Sequence, residues 1–288
     1  MSIDRLQDKI RKMKNPSAWL VEPVPDVLPN ALLEQEGTLT AACLKYFPAL
    51  LEALKDVIPC VRFGFAGFAM LGEQGIGLLR TCLSQATDLG YYVLLDLPEL
   101  WTPSAAKYAA DSLAESDIYR FDGVVINGYP GTDILKPMAS LCGAGKSVFV
   151  LDRTANRSAG ELFDLMTGGR LVHTAAADVI NRVGESYFGK CGYSNMGALA
   201  AASSADSLRT LRTRYNRLFL LIDGYDYPNA NAKNCSFAFD QFGHGAIACA
   251  ASGISAAWKE AESLDPVEAA VAAAERMKKN LTRYVVIL

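Results

Sequence analysis

Histidine is scarce in this 288-residue chain, where His173 and His244 are the only two. Seven cysteines (Cys43, Cys60, Cys82, Cys142, Cys191, Cys235 and Cys249) are scattered, odd in number and without a C-x-x-C pair. So few nitrogen donors and no paired thiols argue against a zinc site, and no metal is expected. Reduced thiols in a cytoplasmic protein are the simple reading. Neither sign of charge dominates: 28 Lys and Arg stand against 31 Asp and Glu, a net charge of −3. That balance gives nucleic acid or an anionic membrane nothing to hold, and neither is expected as a partner. No apolar run approaches the roughly 18 residues of a membrane span. Low-complexity linkers are lacking too.

What is present is a large core. Hydrophobic residues make up 51% and charged residues 20%, which excludes a mainly disordered chain. The 31.0 kDa mass suits one large α/β barrel, for which about 250 residues is typical. Met1 to Lys14 set Ile3, Leu6, Ile10 and Met13 among charges, the spacing of an amphipathic helix and not of a signal peptide. Short apolar runs then recur at Ala18–Val21, Cys60–Phe65, Tyr92–Asp96, Gly123–Ile126, Ser147–Leu151, Gly197–Ala201, Leu218–Ile222 and Gly245–Ala250. Amphipathic stretches separate them at Leu39–Val57, Gly75–Leu89, Ser104–Ser116, Ser158–Met166, Ala175–Val183 and Ser207–Tyr215.

Near-continuous apolar strands alternating with helices predict a parallel sheet covered on its outer face. Eight of them predict an α/β fold of the (β/α)8 TIM barrel type, as a single domain over 1–288. An N-terminal helix falls in 1–16, and a C-terminal helix and tail in 266–288. The Ala-rich stretch from Pro266 to Lys279 has its proline at the start and Lys278 and Lys279 at the end, as helix termini prefer. An open doubly wound sheet is the alternative. Its dinucleotide-binding version is weakened by the lack of a G-x-G-x-x-G after the first strand.

Such a barrel carries its reactive groups at the carboxyl ends of the strands. Those positions hold Glu22, Arg62, Asp96, Asn127, Arg153 with Thr154, Asp223 and Ser252. Four stretches around them fall in a familiar order and spacing. They are Asp4-Arg5-Leu6 through Asn15-Pro16 to Leu20-Val21-Glu22-Pro23; Val61-Arg62 through Leu71-Gly72 and Gly75 to Leu94-Leu95-Asp96 and Ala109; Val125-Ile126-Asn127-Gly128-Tyr129 with Gly131, Asp133 and Pro137; and Phe149-Val150-Leu151 with Arg153-Thr154 and Asn156. Gly197-Ala198 and Leu208 with Arg212 follow suit. In these the chain resembles the bacterial type 2 branch of the orotidine 5′-monophosphate decarboxylase family, over essentially its whole length.

The resemblance implies a barrel from the pyrimidine (UMP) pathway, a lyase that needs no cofactor and works through an alternating Lys–Asp–Lys–Asp array. The family's third-strand signature, D-x-K-x-x-D, reads Asp96-Leu97-Pro98-Glu99-Leu100-Trp101 here. Proline occupies the seat of the proton-donating lysine, and Trp101 that of the second aspartate. Proline has no ionisable group, so nothing local restores the donor. Lys107 lies on the predicted following helix. Arg62 stands for the second-strand lysine and keeps its charge, but a guanidinium is a poor general acid at neutral pH. Glu22 replaces the aspartate that holds a ribose hydroxyl.

The phosphate end departs as well. The family's P-G-x-G-A-Q-G loop is replaced by Asp223-Gly224-Tyr225-Asp226-Tyr227-Pro228-Asn229, and Ser252 stands in place of the phosphate-binding arginine. The amides of Ser252 and Gly253 still offer a helix start to an anion. Asp223 and Asp226, however, put two carboxylates where the phosphate would sit.

Each candidate has a plainer role beside its functional one. Asp96 is more simply the partner of Arg62 than a surviving catalytic group. Glu22 either binds a sugar hydroxyl or completes a Glu22–Arg62–Asp96 cluster. Asn127 and Thr154 match pocket-lining positions, yet such residues routinely satisfy loop backbone. Trp101, Tyr129 and Tyr225 more often fill space than form a ligand platform. His173 is read as a surface histidine and His244 as a loop histidine; Ser194, Ser203 and Ser204 lack a G-x-S-x-G elbow.

The expectation is therefore a non-catalytic or strongly impaired family member. The alternative is an active decarboxylase with rearranged groups, or a diverged enzyme on another small polar substrate. A nucleotide or other small molecule is the expected ligand. A homodimer, or a mixed dimer with an intact paralogue, follows from the family's habit of sharing sites across a two-fold through the segment that holds Trp101 and Thr102 here.

Overall fold

The barrel strands are apolar in sequence because helices cover one face and the barrel interior the other. In the computed structural model, which describes residues 1–261 and 264–288, they are β1 (Ser17–Val21), β2 (Cys60–Phe63), β3 (Tyr92–Asp96), β4 (Gly123–Ile126), β5 (Ser147–Leu151), β6 (Met196–Ala201), β7 (Leu220–Asp223) and β8 (Ala246–Ala250). All neighbours pair in parallel, and β8 pairs with β1 to close the barrel. The (β/α)8 expectation holds, and the open sheet is excluded.

Register decides what points inward. Arg62 is level with Leu20 and Leu94, Asp96 with Val125, and Ala201 with Asp223. Side chains alternate along a strand, so Arg62, Asp96 and Asp223 share the inward parity, and Glu22 and Asn127 extend it just beyond β1 and β4. The interior below them mixes large and small residues. Phe149 lies level with Gly197, and a Cβ at 197 would come within 2.6 Å of the Phe219 carbonyl oxygen and 2.7 Å of the Phe149 ring. Gly197→Ala should therefore cost about 1–3 kcal/mol by overpacking, read as a lower urea midpoint at unchanged slope.

The amino-terminal end of the barrel is closed by the helix Ser2–Met13, whose Ile3, Leu6 and Ile10 are fully buried. Ser2 Oγ bonds Tyr92 Oη at 2.8 Å, Tyr92 Oη bonds Ser147 Oγ at 2.7 Å, and the Ile3 amide donates to Asn195 Oδ1 at 2.9 Å. The last helix, Pro266–Thr282, starts where its proline predicts, capped by Asp265 accepting from the Val267 amide.

Two expectations fail locally. The strand expected over Cys60–Phe65 stops at Phe63, and a helix begins at Phe65. No continuous helix covers Ser158–Met166. That stretch makes a 3-10 turn (Arg157–Ala159), a four-residue helix (Gly160–Phe163) and the first strand of a hairpin, Met166–Thr167 against Arg170–Leu171. Gly168 and Gly169 both have positive φ, 54° and 81°, the requirement of a tight two-residue turn that only glycines meet cheaply. Among the described residues no helix is long and apolar enough to cross a membrane.

Candidate functional site at the carboxyl end of the barrel

Arg62 enters the interior one residue before the end of β2 and is 7% exposed. Nε and Nη2 donate to the two oxygens of Asp96, at 2.7 and 2.8 Å, and Nη1 donates to Asp223 Oδ1 at 2.7 Å. Asp96 is on the adjacent strand, whereas Asp223 lies on β7, three strands round in the other direction. The guanidinium thus spans the mouth as a strut, a task its planar fork suits and a lysine ammonium does not. Burial opposes its charge, but the two carboxylates outweigh that and hold its pKa well above the ordinary arginine value. It is a fixed cation with its fork engaged, not a proton donor.

The pairing of Asp96 with Arg62 agrees with the simpler reading of the sequence. The third member of the cluster does not: Asp223 completes it, not Glu22. Glu22 makes no salt bridge among the described residues and packs beside Gly64, with Cγ 3.2 Å from where a Cβ there would lie. Desolvation raises its pKa; Arg62 opposes this, and Asp96, Asp223 and Asp226 add to it.

The helix start expected to receive an anion is occupied by the protein itself. Asp226 Oδ2 accepts from the amides of Gly253 at 2.7 Å and Ala251 at 3.0 Å, with Ser252 Oγ 3.5 Å away. The donors are Ala251 and Gly253, not Ser252 and Gly253 as the sequence suggested. The two carboxylates also do not stand together before a phosphate: Asp223 turns inward to Arg62 while Asp226 takes the amides. The loop after β7 makes this possible, because Gly224 at φ 72° reverses the chain and turns Asp226 towards the start of the next strand's loop.

Elsewhere the candidates separate. Asn127 bonds loop groups, accepting from the Tyr129 amide of its own loop at 3.0 Å and donating to Glu99 Oε2 of the loop after β3 at 3.2 Å. Thr154 contributes its carbonyl to Arg153, which forks onto Asp164 at 3.0 and 2.8 Å. Pro98 is exposed, and Lys107 is tied to Asp111 at 2.7 Å on the outer helix Pro103–Ala114. Trp101 does not fill space, being 69% exposed, and Tyr129 turns away to donate to the Asp152 carbonyl at 2.6 Å. Arg212 is structural, buried and donating to the carbonyls of Ala238, Asn216, Leu218 and Gly245.

One pair escaped sequence reading. His173 is buried, not on the surface, with Nδ1 3.5 Å from Oδ2 of fully buried Asp152. Burial raises the pKa of Asp152, and His173 is the chief influence opposing it. The signal available was an aspartate placed directly after the apolar run of β5, outshone by the adjacent Arg153. Among the described residues, no group of three or more His, Cys, Asp or Glu side chains is placed to hold a metal ion.

No family profile matches the chain. Curated relatives do. The orotidine 5′-phosphate decarboxylase of Petrotoga mobilis is 26% identical over 262 residues, covering 90% of each chain. That of Clostridium novyi is 24% identical over 263 residues, covering 91% of each. Among solved structures, the Leishmania donovani OMP decarboxylase superposes with a TM-score of 0.73 at 21% identity, covering 97% of this chain and 98% of that one.

Proposed function

The chain is a relative of the orotidine 5′-phosphate decarboxylases along nearly its whole length, and from that premise we propose that it is a non-catalytic or strongly impaired homologue: a single cytoplasmic barrel that keeps the family scaffold without its reagent. The observation that carries this reading is that Arg62, Asp96 and Asp223 are committed to one another and Asp226 to the backbone amides of Ala251 and Gly253. A substrate carboxylate would meet Asp96 already neutralised. A substrate phosphate would have to displace a tethered carboxylate that is held at no translational cost. The identity of Pro98 supports the same reading, since general acid catalysis needs a titratable group at that seat.

The test is direct. Purified protein mixed with orotidine 5′-monophosphate should lose absorbance no faster than buffer does. Turnover abolished by Arg62→Gln or Asp96→Asn would overturn the proposal and favour an active enzyme with rearranged groups.

The same premise extends to assembly. Trp101, which is 69% exposed, and Tyr108, which is 76% exposed, leave aromatic surface on and beside the segment that the family shares across its two-fold. This supports a dimer with a second copy or with an intact paralogue. Light scattering should return about twice the 31.0 kDa chain mass, and Trp101→Glu should return the monomer mass. A monomer in the unaltered protein, with no mixed dimer on co-expression, would remove the dimer.

A further inference from the structure

Outside the barrel, a cleft of about 550 Å³ opens between the segment that follows β7 and the C-terminal end of the last helix. Lys233 and Arg283 face it from its two sides, Tyr225 and Tyr284 wall it, and Asn231 and Asn280 add side-chain amides; among the described residues no carboxylate lines it. Among the described residues neither cation has a carboxylate within salt-bridge distance, unlike Arg62, Arg153, Arg120 and Arg170, so two cations without an acid partner meet at one cleft.

We propose that this cleft is a binding site for a small phosphate monoester carrying a planar ring, of which a nucleoside 5′-monophosphate is the natural probe. The chemistry of the lining sets that class. A phosphate dianion satisfies an ammonium and a guanidinium together, the arginine by its fork and the lysine as a point charge. Tyrosine faces take a flat ring. Asn280 carries a donor and an acceptor for the ring's edge, and Asn231, whose Oδ1 caps the helix Ala232–Ser236 by accepting from the Asn234 amide, keeps its NH2 to donate. The site is distinct from the barrel mouth. It does not depend on the mouth being silent; between the two lies a smaller cavity of about 190 Å³ that shares Tyr225 and Asn280 with the cleft and is also lined by Asp226 and Gly253.

Calorimetry with the full chain and each of the four common nucleoside 5′-monophosphates tests this. At least one should bind saturably with a Kd below about 1 mM, and its nucleoside and inorganic phosphate should each bind about tenfold more weakly. The double variant Lys233→Glu, Arg283→Glu should lose about tenfold or more in affinity, while Lys136→Glu, an exposed cation on a distant helix, should change it by less than about twofold. Arg283→Gln, which cannot create a new ion pair, should weaken binding in the same direction. Tyr284→Ala should weaken the nucleotide but not inorganic phosphate. Absence of saturable binding would overturn the proposal, as would binding that survives both cation variants, which would place the ligand in the mouth. Phosphate binding as tight as the nucleotide would overturn the planar-ring assignment.

Discussion

Arg62→Leu is expected to destabilise the protein by about 3–5 kcal/mol near neutral pH, the cost of leaving a buried charge without its partner. Arg62 is nearly buried and neutralises two carboxylates at once, each with a side chain still 22% exposed. That residual exposure places the loss towards the lower end of the range. The deficit should depend on pH, and its sign is fixed. Burial, the largest influence, and Asp223 raise the pKa of Asp96, while Arg62 lowers it. Without the arginine only the raising influences remain. A carboxyl whose folded-state pKa lies above its unfolded value stabilises the fold below the unfolded value and loses that contribution as pH rises through the folded one. The variant should therefore lie nearest to the parent protein at or below about pH 4, the ordinary aspartate pKa, and fall away as pH rises. Urea unfolding at acid and neutral pH measures this. Replacing all three members, as Arg62→Met, Asp96→Leu and Asp223→Leu, should return most of the loss, because an apolar cluster of similar volume needs no compensation. A deficit that is absent, or equal at both pH values, would show that the strut bears no load.

His173→Leu should cost about 3 kcal/mol near neutral pH, the upper end of the cost of leaving a buried polar group without compensation, here the carboxyl of Asp152. Asp152 is fully buried, and neither of its carboxyl oxygens accepts a hydrogen bond, so His173 at 3.5 Å is its nearest compensation. Its pKa is already raised by burial, against His173 and then Arg153. Removing the imidazole lifts it further, so this variant too should recover as pH falls towards the ordinary aspartate value. The double variant His173→Leu, Asp152→Asn should be more stable at neutral pH than His173→Leu alone, because the uncompensated charge is gone. If the single and double variants unfold at the same urea midpoint, Asp152 is not charged in the folded protein and the pair is no more than a contact.

The strands of the barrel were legible because burial on both faces makes β3, β4 and β5 read as unbroken apolar runs, which matched to the residue at Tyr92–Asp96, Gly123–Ile126 and Ser147–Leu151. The Ser158–Met166 stretch misled because amphipathic spacing there was overruled by the Gly168-Gly169 turn behind it. His173 misled because a helix start looks polar from sequence whether it faces solvent or the loop above a strand. The exposed Trp101 misled for the opposite reason: an indole is usually covered, and its exposure depends on which neighbour arrives.

The order of apolar and amphipathic segments, read with the residues at the strand ends, determined the barrel and the kinship, because these depend on residue type and on spacing along one chain. What each charge does was decided only by the closed barrel. Closure brings β2 opposite β7, so Arg62 meets Asp223 from 161 residues away, and the turn at Gly224 delivers Asp226, not Asp223, to the amides of Ala251 and Gly253. Electrostatic pairing falls off over a few ångströms, and separation in sequence carries no information about separation across a barrel axis.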